Sequence, residues 1–87
     1  MTNRTGSYPL MNLAADYGVD YGDVLLWADY LRRTRVGADL SRARLHEAFL
    51  AAGRVLGSMS NRRSAKFRKA LFAHADARWG RVETVRL

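Results

Sequence analysis

Apolar residues recur at three- and four-residue intervals through most of the chain. The rhythm breaks at Gly18, at Gly37, across Gly57 to Ser60 and at Gly80, which marks out four helical segments. The first runs from Leu10 to Tyr17, with Pro9 in its opening turn, where a missing amide proton costs nothing. The second, Asp20 to Arg35, is capped by Asp20 and places acidic residues early and Arg32, Arg33 and Arg35 late, as the helix dipole prefers. Asp39 or Ser41 caps the third, which runs to about Leu56. Its apolar stripe is Leu45, Ala48, Phe49, Ala52, Val55 and Leu56, with Arg44, Glu47 and Arg54 outside. Gly57, Ser58 and Met59 turn the chain into the fourth segment, Ser60 to Gly80. The expected fold is all-α: one compact bundle of about four helices with helix-turn-helix-like packing and a short C-terminal tail, Arg81 to Leu87.

The fourth segment has two chemically opposite faces. Phe67, Leu71, Phe72, Ala75 and Trp79 fall on one side, and Arg62, Lys66 and Lys69 on the other, with Arg63 flanking them. Ser60 suits the N-cap, and Gly80 the left-handed stop after Trp79. Arg62, Arg63 and Lys66 crowd the positive end of the helix dipole, which is unfavourable unless an anion arrives. Polar and basic residues at a helix start are what a groove-entering helix needs, because Arg and Asn read base edges and Lys neutralises phosphate. Asn61, Arg62, Arg63, Ser64, Lys66 and Lys69 are therefore the candidate nucleic-acid contacts.

The second segment is apolar on two sides. Val24, Trp27, Ala28 and Leu31 make one face, while Leu26 and Tyr30 point roughly the other way. Such a helix is either central in its bundle or buried at an interface, and the latter makes Leu26 and Tyr30 contacts of a homodimer.

The stretch Leu13 to Trp27 resembles the helix-turn-helix of DNA-binding regulators. Ala14 stands where that family has a small residue at the helix crossing, Gly18 where it has the turn glycine, and Val19, Val24 and Trp27 at anchoring positions. The resemblance implies that the exposed side of the second helix reads the major groove. Here those positions are Asp20, Tyr21, Gly22, Leu25, Leu26 and Asp29, and carboxylates there are repelled by phosphates. The packing is then helix-turn-helix and the reading surface lies elsewhere. The third and fourth segments form a second such pair, whose fourth helix has the suitable side chains.

Charge distribution sharpens this reading. The 87 residues carry a net charge of +7, but residues 1 to 40 hold four arginines against five aspartates, and residues 41 to 87 hold eleven cations against three acids. A basic half attracts polyanions. Apolar residues make up 48%, enough for one modest core in a single domain. There is no cysteine, which excludes disulfides, thiol catalysis and thiolate metal sites and accords with a cytoplasmic protein. No apolar run approaches the length of an export signal or a membrane span.

Nothing in the sequence marks a catalytic, metal or cofactor site. His46 and His74 are isolated, without a second ligand at helical spacing. Gly53 to Ser58 lacks the spacing and the lysine of a phosphate loop. The expectation is a non-enzymatic binder of nucleic acid, duplex DNA in the first instance, that acts through the basic fourth helix as a transcriptional repressor or accessory regulator. The alternative is a small phage or plasmid inhibitor or adaptor, of the anti-CRISPR kind, that binds a protein complex through its charged surface.

Overall fold

The computed structural model describes residues 8–81, and they form four helices: α1 Pro9–Tyr17, α2 Tyr21–Val36, α3 Arg42–Gly57 and α4 Asn61–Trp79. Three of them begin on a capping side chain. Asp20 Oδ2 accepts from the Asp23 amide at 3.0 Å, Ser41 Oγ from Arg44 at 3.2 Å and Ser60 Oγ from Arg63 at 3.3 Å. Of the two candidates for α3, Ser41 is the cap. Gly18 and Gly37 end α1 and α2 in the left-handed conformation. Gly80 does not: its φ of 93° comes with a ψ of 157°, so the chain leaves α4 extended rather than in a left-handed stop. Most of the tail, residues 82–87, lies outside the described residues.

The core gathers on α2. Val24, Trp27, Ala28 and Leu31 are buried there against Phe67, Leu71 and Ala75 of α4, Ala14 of α1 and Val55 of α3. Phe67 is the hub: its ring meets Tyr17 edge-on at 5.2 Å and Trp27 at 5.9 Å with a 30° tilt. Phe72, expected on the buried side, is partly exposed, although its ring still stands edge-on to Trp27 at 6.1 Å.

α1, α3 and α4 all pack on α2, and α1 also meets α4. Consecutive in sequence, α3 and α4 hardly touch, so the second helix-turn-helix-like pair does not form. The reason lies in α3. Its buried residues are the small Ala48, Ala51 and Val55, which bring its backbone close along α2 and turn the helix away from the expected register. Leu45 and Phe49 of the expected stripe are left outside, 46% and 75% exposed.

Ion pairs fasten this arrangement. Arg54 of α3 grips Asp23 of α2, with Nη2 2.8 Å from Oδ1 and Nε 3.1 Å from both carboxylate oxygens. Asp29 takes Arg32 and Arg33 of its own helix at 2.9 Å each and Arg44 of α3 at 4.0 Å. Partial burial pushes the Asp29 carboxyl up, but the hydrogen bonds and charges of Arg32 and Arg33 outweigh it and hold the group below its ordinary value. Arg35 reaches from α2 to Asp76 of α4. Arg44 and Arg54 lie outside the apolar stripe as expected, exposed to solvent, and there meet Asp29 and Asp23 of α2. Among the described residues, no helix is long and apolar enough to cross a membrane.

Candidate nucleic-acid interface

From Ala48 to Ala75 the chain contains no acidic residue. This segment includes the first four turns of α4, whose 19 residues span about 28 Å. Ser64, Phe67, Leu71 and Ala75 lie buried on one stripe, which fixes the rotation of the helix about its axis. Arg62, Lys66 and Lys69 are consequently directed to solvent on the opposite face, and Asn61 is exposed at the first position. Along the axis, Arg62 and Lys69 are separated by about 10 Å, two turns of helix.

Among the described residues, Arg62, Lys66, Arg68 and Lys69 form no ion pair, whereas Arg32, Arg33, Arg35, Arg44 and Arg54 all do. The acids Asp23, Asp29 and Asp76 hold helices together, and no carboxylate stands within the basic half of α4. Arg62 stands in the first turn, against the positive end of the helix dipole, and Lys66 and Lys69 follow on the same face; the repulsion among these charges is relieved by a bound polyanion.

Arg63 is different. Its guanidinium lies 4.9 Å from the Tyr17 ring centroid, and Nη2 donates to the Tyr17 carbonyl at 3.3 Å. That tie places a positive charge at the C-terminal end of α1, where the dipole favours it, and fixes Arg63 on the α1 side of the basic face. It remains exposed.

Ser64 does not belong to the surface. It is buried, and its hydroxyl donates to the Leu56 carbonyl at 3.4 Å, joining the start of α4 to the end of α3. Its place three residues before Phe67 and seven before Leu71 puts it on the core stripe, a helical spacing that outweighs its polarity. Arg68, next to Phe67 in the chain, is exposed but lies at the edge of the buried stripe, about 100° round the helix from Lys69 and about 160° from Lys66.

Leu26 and Tyr30 are both half-buried. Tyr30 packs against the core and borders the groove between α2 and α3. Asp20 and Asp23, at the start of α2, serve as cap and as partner to Arg54. His46 is exposed on α3; His74 is half-buried, edge-on to Trp79 at 5.6 Å. Burial, and then the charge of Arg78, hold His74 below its ordinary value. No cluster of metal-binding type occurs among the described residues.

No protein-family model, curated protein or solved structure matches the chain. The functional reading therefore rests on the chemistry of α4.

Proposed function

We propose that the protein binds nucleic acid, duplex DNA in the first instance, through the N-terminal half of α4, and that it acts as a transcriptional repressor or accessory regulator. The observation that carries this reading is the sorting of charge. The acids that face the bundle are matched by arginines, while Arg62, Lys66 and Lys69 share one face of α4 and, among the described residues, form no ion pair. An α-helix is of a size to enter the major groove, which is about 12 Å wide. Lys66 and Lys69 then neutralise phosphates, Asn61 and Arg62 face base edges, and Arg63, held by Tyr17, steadies the approach. α1 and α2 act as the scaffold, in keeping with the helix-turn-helix resemblance of residues 13 to 27.

The test is fluorescence anisotropy with labelled duplex DNA across a salt series. With Lys66 and Lys69 on phosphates and Arg63 adding a third, log affinity should fall with log salt at a slope of about −3 per chain. Lys66→Ala and Lys69→Ala should each flatten that slope by about one without altering sequence preference, whereas Arg62→Ala should cost about 1–3 kcal/mol mainly on the preferred site. A folded variant with Arg62, Lys66, Arg68 and Lys69 all changed to alanine that binds DNA as the wild type does reduces the basic face to a solvated surface. No DNA binding by the wild type at physiological salt, with loss of binding to a protein complex in the same variant, replaces this reading with the inhibitor or adaptor.

A further inference from the structure

The outer half of α3 carries an uncovered apolar face. Phe49 is 75% exposed, and Leu45 and Leu50 beside it are each nearly half exposed. Leu45, Phe49, Ala52, Gly53 and Leu56 share this side of the helix with His46, while Ala43 and Leu50 lie at its edge, next to Glu47 and Arg54. One formal charge belongs to this side, Arg42, and it lies at the N-terminal end. Next to Phe49 a groove of about 170 Å³ opens between α2 and α3, bordered by Trp27, Tyr30, Leu45 and Ala52. A void of about 150 Å³ suffices to admit a benzene ring.

We infer that this face pairs with the same face of a second copy of the chain, α3 running antiparallel to its counterpart across a two-fold axis near Phe49 and Leu50. Two observations select a second copy as the occupant. The first is self-complementarity: each chain offers both an aromatic knob and an apolar hollow of aromatic size beside it, as an isologous contact requires. Gly53 and Gly57 assist, because a Cβ built on either meets nothing within 4 Å, so the backbone there is open to close approach.

The second is charge. In the antiparallel pair, Arg42 of each chain lies against the C-terminal end of the partner's α3, the negative end of its dipole, and the two Arg42 side chains stand at opposite ends of the contact. A parallel pair would instead set them side by side. The exposed half of a 16-residue helix, with the rim at Tyr30, covers roughly 500 Å² per chain, so the pair buries about 1,000 Å², the lower limit for a specific interface. An interface at that limit is a weak, transient one that forms at high protein concentration. Because α3 and α4 hardly touch, pairing through α3 leaves both basic faces open, and this inference stands independently of what α4 binds.

Sedimentation equilibrium of the full chain, without nucleic acid, tests it. The mass should rise from 9.8 kDa at low micromolar concentration towards twice that value at several hundred micromolar. Phe49→Glu and, separately, Leu45→Glu should hold it at the single-chain mass, with unchanged far-UV circular dichroism because both positions are exposed. Replacing the four basic residues of α4 should leave it unaltered. The chain has no cysteine, so orientation can be read by cross-linking. Arg42→Cys mixed with Gly57→Cys should give a mixed disulfide, and neither alone should cross-link efficiently. A monomer at every concentration overturns the inference and turns the face towards a different protein; efficient self-cross-linking of Arg42→Cys overturns the antiparallel arrangement.

Discussion

The contact between Arg35 and Asp76 is the ion pair that ties α2 to α4, and its removal should be felt well beyond what a surface pair contributes. Arg35 Nε and Nη2 donate to Asp76 Oδ1 at 3.1 and 2.9 Å, and Nη1 donates to the Leu31 carbonyl at 3.2 Å. The arginine side chain is 8% exposed and the aspartate 34%. Asp76→Ala thus strands a nearly buried guanidinium with one of its three hydrogen bonds. Breaking a fully buried pair costs about 3–5 kcal/mol and an exposed one about 0.2–1 kcal/mol. With one partner a third exposed, about 2 kcal/mol is the intermediate expectation. A domain of this size should then melt about 8–16 °C lower, measured by far-UV circular dichroism. Arg35→Met with Asp76→Leu should recover most of the loss, because no charge is left behind. Additivity of Arg35→Met and Asp76→Leu, to within about 0.5 kcal/mol, would refute the coupling on which this expectation rests.

Phe67→Ala should destabilise by about 3–5 kcal/mol in urea unfolding, since the ring is wholly buried between Tyr17 and Trp27. A loss under about 1 kcal/mol would place the hub elsewhere. Ser64→Ala should leave the DNA salt slope unchanged and stability within about 1 kcal/mol, because its hydroxyl makes one long hydrogen bond inside the bundle. Stability should also fall on acidification. His74 and Asp29 both have folded-state values below their ordinary 6.5 and 3.8, so the unfolded chain binds the extra proton first. Each contribution is complete above the ordinary value and is lost as pH falls through the folded one. Thermal melts should show a first decline below about pH 6.5 that His74→Gln removes, and a second, in the acid range, that Arg32→Gln with Arg33→Gln diminishes. Melting temperatures that rise as the pH is lowered from neutrality would contradict the His74 assignment, and an acid decline untouched by Arg32→Gln with Arg33→Gln would contradict that of Asp29.

The helices were legible because local chemistry announces them. Asp20, Ser41 and Ser60 offer side-chain oxygens to the amides three residues on, and Gly18 and Gly37 supply the positive φ that other residues rarely adopt. Partnership was not legible. Periodicity reports that a helix has an apolar side, but not what covers it. In α3 the large residues Leu45 and Phe49 looked like core, yet Ala48, Ala51 and Val55 meet α2, because small side chains allow the closer approach. The same blindness hid Ser64, which polarity assigned to the surface and helical spacing assigned to the core.

Charge follows a parallel logic. Read along the chain, the aspartates of α2 form an acidic patch and its late arginines a helix end, since the pairs that tie α2 to its neighbours, Asp23 with Arg54 of α3 and Arg35 with Asp76 of α4, span 31 and 41 residues. Folding brings those opposites together and so removes them from the outward-facing balance. Between Ala48 and Ala75, where the chain has no acid, Arg54 finds Asp23 of α2, but among the described residues the cations from Arg62 to Lys69 form no ion pair. Phe67, Leu71 and Ala75 must face inward, so Arg62, Lys66 and Lys69 must face outward, and these cations share about two turns of one helix face. A field of that sign over so small an area is an attraction for polyanions that salt weakens in proportion to the phosphates engaged. The apolar face of α3 follows from the same constraint in the other currency of folding: with only α2 to lie against, a 16-residue helix covers one side of itself and leaves Phe49 for a partner.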